Sequence, residues 1–570
     1  MCGISGMLGQ PEKSVLLRMN KLLAHRGPDG NGIHIDSKCG LGHTRLAIVD
    51  VEGSPQPIYG TGKVAVVNGE IYNYKSLRNP NYSYTTNGDS EVILSLHKGK
   101  GTAYDHAKWI CKLDGMFAFA VWADNQLILA RDPLGIKPLV RTQVDNNLIF
   151  ASEAKALRGL DEYVPEIDSF ALKARIAWEY PLDATTLFSD VYQVRPGSIE
   201  VWEIIDGIPT LTSSCRFEKQ VVSPTLSWNE PSELLESFTL SVSDRLMADV
   251  PVGIVLSGGL DSSLVCAVAR NAAEIAEQPV PACWTIAESE DNPDWQAAEL
   301  VASSLDLEHN QHILDSESFE NWLPELAWHG EDLDVTVLFF QPLFSKMSES
   351  VTVGLCGQGA DELHAGYPRY KNLEQHKKLV SSRLDEMNCD LSNLKGERWW
   401  TNNHTPEKHT ESLQDFLQFE IDHGQLSNFQ LRLVDRHSMA SGLEVRVPFL
   451  GSRHTTASNR LPIDWRLPAN GLEKAALREA ARLTNLPKEI VDRPKLPAGR
   501  ATSPKLIDSL IDDLQSYTNQ IASRHPSIEE SLLRQPEICI GLGLFEAMHI
   551  LDRGVNKKSG TASDLLEELF

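Results

Sequence analysis

The chain reads Ser257-Gly258-Gly259-Leu260-Asp261-Ser262-Ser263 between an apolar run at 250–256 and a helical pattern that begins near Leu264. The two glycines let backbone N–H groups approach a phosphate closely, and the serines add hydroxyl donors. The positive end of the following helix adds to this attraction. The stretch lacks the Gly-Lys-Ser/Thr ending of a P-loop, so we interpret it as a different phosphate-binding loop. A strand before the loop and a helix after it predict an α/β domain.

The rest of the chain divides around this loop. Apolar runs at 282–286 and 351–355 alternate with helical patterns, which is typical of a parallel sheet. Residues 2–196 instead carry short β-like runs between Gly, Asn, Asp and Pro, as in an antiparallel sheet. The stretch 469–486 is rich in Ala and Leu and predicts a helix. A chain of 570 residues is too long for a single typical hydrophobic core. We therefore predict two domains, at 2–200 and 231–500, with a connector at 201–230 between them and a helical extension at 501–570.

Composition limits the partners of the protein. A formal net charge of −25 repels phosphate backbones and anionic lipids, so we expect neither nucleic acid nor a membrane as a partner. The sequence shows no transmembrane-length apolar run and no signal-peptide pattern, and we predict a cytoplasmic protein. The nine cysteines form no CxxC pair, which argues against a disulfide framework or a structural zinc site.

Cys2 directly follows the initiator methionine. Removal of Met1 would leave a free α-amine whose ordinary pKa lies near 8, so part of it is neutral at pH 7. That amine can take the thiol proton, and Cys2 then becomes a nucleophile without a histidine. Cysteine in second position also occurs by chance, so the prediction depends on the blocks that follow it.

Those blocks follow Cys2 in order along the chain. They are Cys2-Gly3-Ile4-Ser5-Gly6, His25-Arg26-Gly27-Pro28-Asp29-Gly30, Gly42-His43-Thr44-Arg45-Leu46-Ala47-Ile48-Val49-Asp50, Val67-Asn68-Gly69-Glu70-Ile71-Tyr72-Asn73 and Asn87-Gly88-Asp89-Ser90-Glu91. With them, residues 2 to about 195 resemble the class II, N-terminal-nucleophile glutamine amidotransferases. The resemblance implies an α+β sandwich with αββα layers.

The resemblance also implies roles for single residues. Arg45 would grip the α-carboxylate of glutamine through a bidentate fork. Asp89, assisted by Glu70, would accept hydrogen bonds from its α-ammonium. Asn68 and the Gly69 N–H would form the oxyanion hole. The backbone from Leu46 through Ala47 and Ile48 to Val49 would complete the glutamine-binding site.

The second half of the chain resembles another class. The loop at 257–263 resembles the pyrophosphate-binding loop of N-type ATP pyrophosphatases, which form an acyl-adenylate. Further blocks follow as Gly354-Leu355-Cys356-Gly357-Gln358-Gly359-Ala360-Asp361-Glu362, Asp435-Arg436-His437-Ser438-Met439-Ala440, Gly442-Leu443-Glu444-Val445-Arg446-Val447-Pro448-Phe449-Leu450 and Arg493-Pro494-Lys495. In this order, residues 2 to about 500 resemble the glutamine-hydrolysing asparagine synthetase family.

This second resemblance implies ATP and Mg²⁺ as cofactors. Asp261 and Asp361 would hold Mg²⁺, and Lys495 would stabilise charge on the phosphates. Gln358 stands at a position tied to catalysis in the family. The implied ATP-binding residues are Leu256, Ser257, Gly258, Gly259, Asp261, Ser262, Ser263, Ile286, Cys356 and Gly357.

Three positions depart from the family pattern: Cys356 replaces serine, Gln358 replaces glutamate, and Gly451 replaces aspartate. A glutamine keeps the size of glutamate but cannot carry its charge or take a proton. The segment 332–346, which the resemblance implies to be the acceptor region, also looks more apolar than recognition of aspartate requires.

Three interpretations of function follow. The first is ATP-dependent conversion of aspartate to asparagine with ammonia from glutamine. It is favoured because this activity is the most frequent one in the family that the chain resembles. The second keeps the chemistry on another carboxylic acid. The third is a non-catalytic glutamine or nucleotide sensor, which the intact motifs disfavour. The partners are then glutamine, ATP and a small carboxylic acid, and a homodimer is the assembly we consider.

Overall fold

The computed structural model describes residues 2–218, 221–315, 318–391, 411–496, 502–551 and 561–570. The N-terminal part is built mainly from antiparallel strands. Its strands are β1 (Gly3–Leu8), β2 (Gly30–Ile35), β3 (Cys39–Arg45), β4 (Ile58–Gly60), β5 (Lys63–Ile71), β6 (Gly115–Ala123), β7 (Gln126–Arg131), β8 (Val140–Val144), β9 (Asn147–Ala151), β10 (Tyr192–Gln193), β11 (Ser198–Ile205) and β12 (Ile208–Arg216). Its helices are α1 (Lys13–Leu22), α2 (Tyr74–Leu77), α3 (Val92–Leu96), α4 (Ala103–Ile110) and α5 (Ser169–Trp178).

These strands form two facing sheets, ordered β10-β8-β9-β1-β3-β2 and β12-β11-β7-β6-β5-β4. Side-chain alternation along β5 gives each face its own core, as the period of a strand requires. Val64 and Val66 pack with Ile4 of β1 between the sheets, whereas Ala65 and Val67 pack on the outer face with α3 and α4. Helix α1 covers the outer face of the other sheet. The layers are therefore αββα, and the predicted sandwich is confirmed.

The strands β11 and β12 extend past the predicted domain limit at residue 200. They continue the second sheet because β11 pairs with β7 in an antiparallel register that aligns Ile199 with Ala130. We propose that the first domain runs through β12, and that the connector is shorter than the predicted 201–230.

The second part contains a five-stranded parallel sheet in the order β15-β14-β13-β16-β17. Its strands are β13 (Val252–Val255), β14 (Ala282–Ala287), β15 (His309–Ile313), β16 (Val353–Leu355) and β17 (Glu444–Arg446). Its helices are α6 (Pro231–Arg245), α7 (Leu260–Ala276), α8 (Pro293–Ser304), α9 (Leu323–Gly330), α10 (Phe340–Ser348), α11 (Ala360–His364), α12 (Leu373–Glu386), α13 (Leu413–His423), α14 (Leu431–Met439), α15 (Ser452–Asn459), α16 (Ile463–Arg466), α17 (Ala475–Ala481) and α18 (Lys488–Val491).

The strand order reverses at β13, because the chain moves from β13 to β14 on one side and later places β16 on the other. Ligands of open parallel sheets bind beside the carboxyl ends of the strands at such a reversal. The turns after β13 and β16 meet there, and Asp261 and Asp361 lie in the first turns of the helices that follow, α7 and α11. The fold thus predicts the position of the second site.

The C-terminal segment is helical, as predicted, over α19 (Pro504–Ser523), α20 (Glu529–Leu533), α21 (Pro536–Phe545) and α22 (Ala562–Glu567). These helices bury Leu514, Leu544 and Leu566 in the same core as Leu326 of α9, so the segment packs against the second domain. Within the described ranges, every helix is too short or too polar to cross a lipid bilayer.

Candidate active sites

Cys2 lies buried immediately before β1, an interior strand of the first sheet. Its N–H donates to Asn68 Oδ1 at 3.1 Å, and its Sγ lies 4.0 Å from the Leu46 carbonyl oxygen. Burial raises the pKa of the Cys2 thiol. Met1, whose removal the sequence predicts, lies outside the described residues. The predicted nucleophile and the predicted oxyanion-hole asparagine are therefore direct neighbours.

Asn68 and Gly69 lie on β5 facing this cysteine. Asn68 Nδ2 is buried and has no hydrogen-bond partner among the described residues. Gly69 has φ +139, and a Cβ there would collide with the Met116 carbonyl oxygen. Phe117 pairs with Gly69 in the antiparallel register. The Phe117 N–H donates to the Asp132 carboxylate, and the Phe117 carbonyl accepts from the Asp132 N–H. A buried, unused amide donor next to a thiol is the arrangement that an oxyanion requires.

Arg45 ends β3 and begins the predicted glutamine-binding loop. Its Nη1 and Nη2 donate to the carbonyls of Val51 and Asp50 at 2.5 and 2.8 Å, so the guanidinium fixes the loop in this state. Within the loop, Ala47 N–H donates to Asp29 Oδ2 at 2.8 Å. The grip of Arg45 on a carboxylate remains a prediction, because both terminal nitrogens already have partners.

The same loop contacts the second domain. Asp249 N–H donates to the Ile48 carbonyl at 2.9 Å, and the Asp50 N–H donates back to Asp249 Oδ2 at 2.7 Å. Leu46 and Ile48 pack in one apolar cluster with Ala248, Val353 and Met439, and Val49 packs partly buried against it.

Two buried carboxylates lie near each other at the first site, and one of them, Glu70, lies close enough to Cys2 to add to burial in raising the pKa of its thiol. Asp89 Oδ2 accepts from the Ile71 N–H at 2.7 Å, and burial raises the pKa of Asp89 to about 6. Burial, with the Asp89 and Glu444 carboxylates nearby, raises the pKa of Glu70 well above its ordinary value. Glu70 Oε2 is buried and has no hydrogen-bond partner among the described residues. Such a pair attracts a cationic ammonium, which would restore both carboxylates to their charged forms.

The sequence reasoning missed the contribution of the second domain to this site. Glu444 and Arg446 on β17 reach it: Arg446 Nε donates to Glu444 Oε1 at 2.6 Å, and Arg446 Nη2 lies 3.9 Å from Glu70 Oε1. Both residues stand in a block that the resemblance had marked without giving it a role. Sequence order alone gives no signal that β17 meets β5.

The loop after β13 has the geometry of a phosphate-binding turn. Gly258 has φ +71, and a Cβ there would come within 2.6 to 2.8 Å of the α8 segment at 294–298. Ser257 Oγ and Ser262 Oγ lie 3.0 Å apart, and Ser263 Oγ is buried with no partner in the described ranges. Gly259 precedes the first turn of α7. The loop thus turns hydroxyls and a helix N-terminus towards one space.

The other residues that are predicted to contact the nucleotide lie close to this loop. Leu256 N–H donates to the Trp284 carbonyl at 2.9 Å, and Ile286 lies on the adjacent strand β14. A Cβ on Gly357 would lie 2.9 Å from Asp261 Cβ, so the loops after β13 and β16 touch there. Cys356 is buried, and burial raises the pKa of its thiol to about 11.

Asp261 and Asp361 lie on either side of two ammonium groups. Lys495 Nζ lies 2.8 Å from Asp361 Oδ2 and 3.6 Å from Asp261 Oδ2. Lys474 Nζ lies 2.6 Å from Asp261 Oδ2 and 2.5 Å from Asp361 Oδ1. Burial alone would raise the pKa of Asp361, but Lys474 and Lys495 hold it below its ordinary value. Burial opposes the charge of Lys495 as well, and the two aspartates keep its pKa above the usual range.

Lys474 is a second functional candidate that the sequence reasoning missed. It falls inside the stretch 469–486 that was predicted as one helix, but helix α17 begins only at Ala475. Lys474 has φ +61, so the backbone turns there and sends the side chain into the cluster, where it is 2% exposed. The helix prediction was too long because a left-handed lysine has no marker in residue type alone.

Gln358 lies beside the same cluster. Its Nε2 donates to Gln430 Oε1 at 2.8 Å. Both amides line a cavity of about 170 Å³ together with Lys495 and Asp361. Part of the predicted acceptor segment 332–346 lines it too, at Asp334, Val337, Phe339 and Phe340, whereas Asp332 is buried against Arg175 at 2.7 Å.

Gly451, the third departure, is explained by packing. A Cβ there would collide with Ser241 Oγ and lie 2.8 Å from Arg245 Nη1. Arg245 Nη2 lies 4.0 Å from Asp114 Oδ1 of the first domain. Gly451 is therefore part of the domain contact, and it does not line the cavity beside Gln358.

Comparison with known proteins agrees with this architecture. A glutamine amidotransferase domain model matches residues 1–207, and an asparagine synthase model matches residues 233–539. The chain is thus an N-terminal-nucleophile amidotransferase domain joined to a synthetase domain.

Individual proteins that are similar to this chain indicate one family within the class of amidotransferases. Asparagine synthetase [glutamine-hydrolyzing] 1 of Bacillus subtilis is 29% identical, with 87% of this chain and 86% of the relative covered. The mouse asparagine synthetase is 30% identical over 87% and 83%, and asparagine synthetase 2 of Arabidopsis thaliana is 31% identical over 91% and 82%. The chain belongs to the glutamine-hydrolysing asparagine synthetase family, whose members are ligases with glutamine as the amide donor.

Proposed function

We propose that the protein hydrolyses glutamine at Cys2 and uses the ammonia to amidate a carboxylic acid that it has activated with ATP. The observation that carries this proposal is the pairing of two sites in one chain. In the first site, the buried residue Cys2 lies next to Asn68. The second site contains Asp261, Asp361, Lys474 and Lys495 beside the loop 257–263, which has the geometry of a phosphate-binding turn.

At the first site, the freed α-amine of Cys2 takes the thiol proton while Asn68 Oδ1 accepts a hydrogen bond from that amine. The thiolate attacks the carboxamide carbon, and the Asn68 Nδ2 and Gly69 N–H groups donate to the developing oxyanion. Ammonia leaves with the transferred proton, and water then hydrolyses the thioester to glutamate.

Glutamine is held as a zwitterion. Asp89 and Glu70 accept from its α-ammonium, and Arg45 grips its α-carboxylate once the guanidinium exchanges a loop carbonyl for the ligand. The backbone of residues 46–49 closes the site. Arg446 and Glu444 lie on β17 of the second domain, and Arg446 lies near Glu70 of the glutamine site. Closure around glutamine therefore changes contacts that the second domain makes.

At the second site, the loop 257–263 holds the phosphates of ATP, with Leu256, Ile286, Cys356 and Gly357 next to the nucleoside. The acceptor carboxylate attacks the α-phosphate, pyrophosphate leaves, and Lys474 and Lys495 stabilise the charge that develops on it. Asp261 and Asp361 fit Mg²⁺, because two carboxylates plus phosphate oxygens suit this ion and an ammonium already lies between them. When bound, Mg²⁺ would neutralise phosphate charge.

Ammonia must then cross from Cys2 to the acyl-adenylate. The apolar cluster of Leu46, Ile48, Ala248, Val353 and Met439 joins the two domains at the predicted glutamine-binding loop. Ammonia replaces AMP on the acyl carbon and gives the amide. Gln358 cannot take the released proton, so it contributes hydrogen bonds only.

Aspartate is the first candidate for the acceptor, since the curated relatives are named asparagine synthetases. A different carboxylic acid is the second candidate, and the cavity beside Gln358 favours it. A homodimer and a cytoplasmic location stay predictions.

The test of the proposal is the product pattern. Purified protein with glutamine, ATP, MgCl₂ and a panel of carboxylic acids should form AMP and pyrophosphate, and glutamate should appear with them. Formation of ADP and phosphate, or acid-independent nucleotide turnover, would exclude adenylation.

A further inference from the structure

The cavity beside Gln358 has a mainly apolar wall, formed by Val337, Phe339, Phe340, Phe429, Leu433 and Val434. The rings of Phe339 and Phe340 have centroids 4.4 Å apart. Val337, Phe340 and Phe429 are only partly buried, so they keep apolar surface that a ligand can cover. Removing such surface from water favours binding of an apolar group.

The charged groups of this cavity do not match aspartate. Among the described residues, the charged side chains that line it are Asp334, Asp361 and Lys495. Lys495 is already shared between Asp361 and Asp261. Asp334 Oδ1 accepts from the N–H and the hydroxyl of Thr336 at 2.8 and 2.6 Å. Asp334 could pair with the α-ammonium of aspartate, but the two carboxylates of aspartate would have Lys495 as their one cation among the described lining residues, and a charge without its own partner is bound poorly.

Gln358 and Gln430 make the floor between cavity and cluster neutral. The Gln358 Nε2 donates to Gln430 Oε1 at 2.8 Å. A neutral pair here avoids placing a carboxylate against Phe429 and Leu433, whose side chains line the same space. The replacement that looks anomalous for aspartate chemistry is thus consistent with an apolar ligand.

We infer that the acceptor is a monocarboxylic acid whose remaining part is apolar, of the size of a phenyl ring on a short chain. Its carboxylate lies towards Lys495 and its apolar part lies against Phe339, Phe340 and Leu433. The inference rests on the proposed function: the carboxylate oxygen bonds to the α-phosphorus, pyrophosphate leaves, and ammonia then displaces AMP to give the primary amide and one proton.

The test uses the full chain with glutamine, ATP and MgCl₂, and compares kcat/KM for pyrophosphate release with 3-phenylpropanoate, hexanoate and aspartate. The expected result is at least a tenfold preference for 3-phenylpropanoate over aspartate. Equal or higher kcat/KM with aspartate would overturn the inference and leave the proposed function standing. No pyrophosphate with any acid would overturn both.

A variant in the wall checks the position of the ligand. Phe340→Ala should raise the KM for 3-phenylpropanoate at least tenfold, and a far-UV circular dichroism spectrum like that of the wild-type protein reports a folded chain. The matched control is Phe570→Ala, an exposed phenylalanine at the C-terminus. An unchanged KM in Phe340→Ala would overturn the inference. If that variant does not fold, Val337→Thr, which keeps the volume and adds a hydroxyl, should raise the same KM, and an unchanged value would again overturn it.

Discussion

Arg26 of the first domain donates from Nη1 to Asp435 Oδ2 of the second at 2.9 Å, and its Nε donates to the Cys2 carbonyl at 3.1 Å. Both side chains are buried, and the same Nη1 also donates to Glu153 Oε1 at 2.6 Å. Asp435 stands on α14, whose residues Leu433 and Val434 line the cavity beside Gln358. One guanidinium therefore connects the backbone of Cys2 to the helix that lines the cavity beside Gln358.

Asp435→Asn should weaken this connection. The change removes a buried negative charge next to Arg26 and Lys137, and breaking a buried pair costs about 3 kcal/mol of unfolding free energy. We also expect glutamate to form in excess of pyrophosphate, because the domains lose one of their buried shared contacts. Chemical denaturation and the glutamate-to-pyrophosphate ratio measure the two effects. Asp161→Asn, in an exposed pair with Arg18, is the control and should alter neither. A stoichiometric ratio in Asp435→Asn would refute the coupling.

Cys2→Ala should abolish glutamate release and leave amide synthesis from ammonium salts intact. The reason is that the thiol serves only the first site, while the second needs ammonia from any source. Cys111→Ala changes an exposed cysteine and should retain both activities. Glutaminase activity that survives in Cys2→Ala would contradict the assignment of the nucleophile.

Glutamine binding should weaken at acidic pH because of Asp89. Burial raises its pKa to about 6, so the carboxylate is ionised above that pH and protonated below it. Only the ionised form attracts the α-ammonium of glutamine, and the KM for glutamine should rise about tenfold from pH 7 to pH 5. Asp89→Asn should show a high KM with little dependence on pH over this range. A pH-independent KM in the wild-type protein would contradict this role.

Lys474→Met should slow pyrophosphate formation by at least about 100-fold, as expected for loss of one group that stabilises developing charge. Glutamate release should persist, because Lys474 lies in the second site. Lys378→Met removes an exposed lysine on α12 and serves as the matched control. Initial rates of pyrophosphate release at saturating ATP give the comparison, and a loss smaller than tenfold would argue for a structural lysine only.

Much of each site could be predicted from local sequence. Cys2 and Asn68 come from blocks whose order indicated one glutamine site, and the structure makes them neighbours. Asp261 and Asp361 each follow a strand of a parallel sheet, so the strand ends bring them together. Their catalytic roles stay predictions until variants are measured.

Other parts depend on contacts that local patterns do not encode. Glu444 and Arg446 reach the first site only because β17 abuts the other domain, and Lys474 enters the second only because its backbone is left-handed. The apolar cavity combines the segment at 334–340 with α14 and the loop after β16, which lie far apart in sequence. The sequence indicated that the segment 332–346 is apolar, but it did not indicate that this segment lines a cavity.

Transfer of labelled nitrogen tests the central claim most directly. The protein is incubated with [amide-¹⁵N]glutamine, ATP, MgCl₂ and its acceptor acid, and the product is analysed by mass spectrometry. We predict one ¹⁵N in the amide, one AMP and one pyrophosphate per amide, and loss of the label in Cys2→Ala that ¹⁵N-ammonium restores. Amide formation without the glutamine label, or label transfer that survives in Cys2→Ala, would contradict the account.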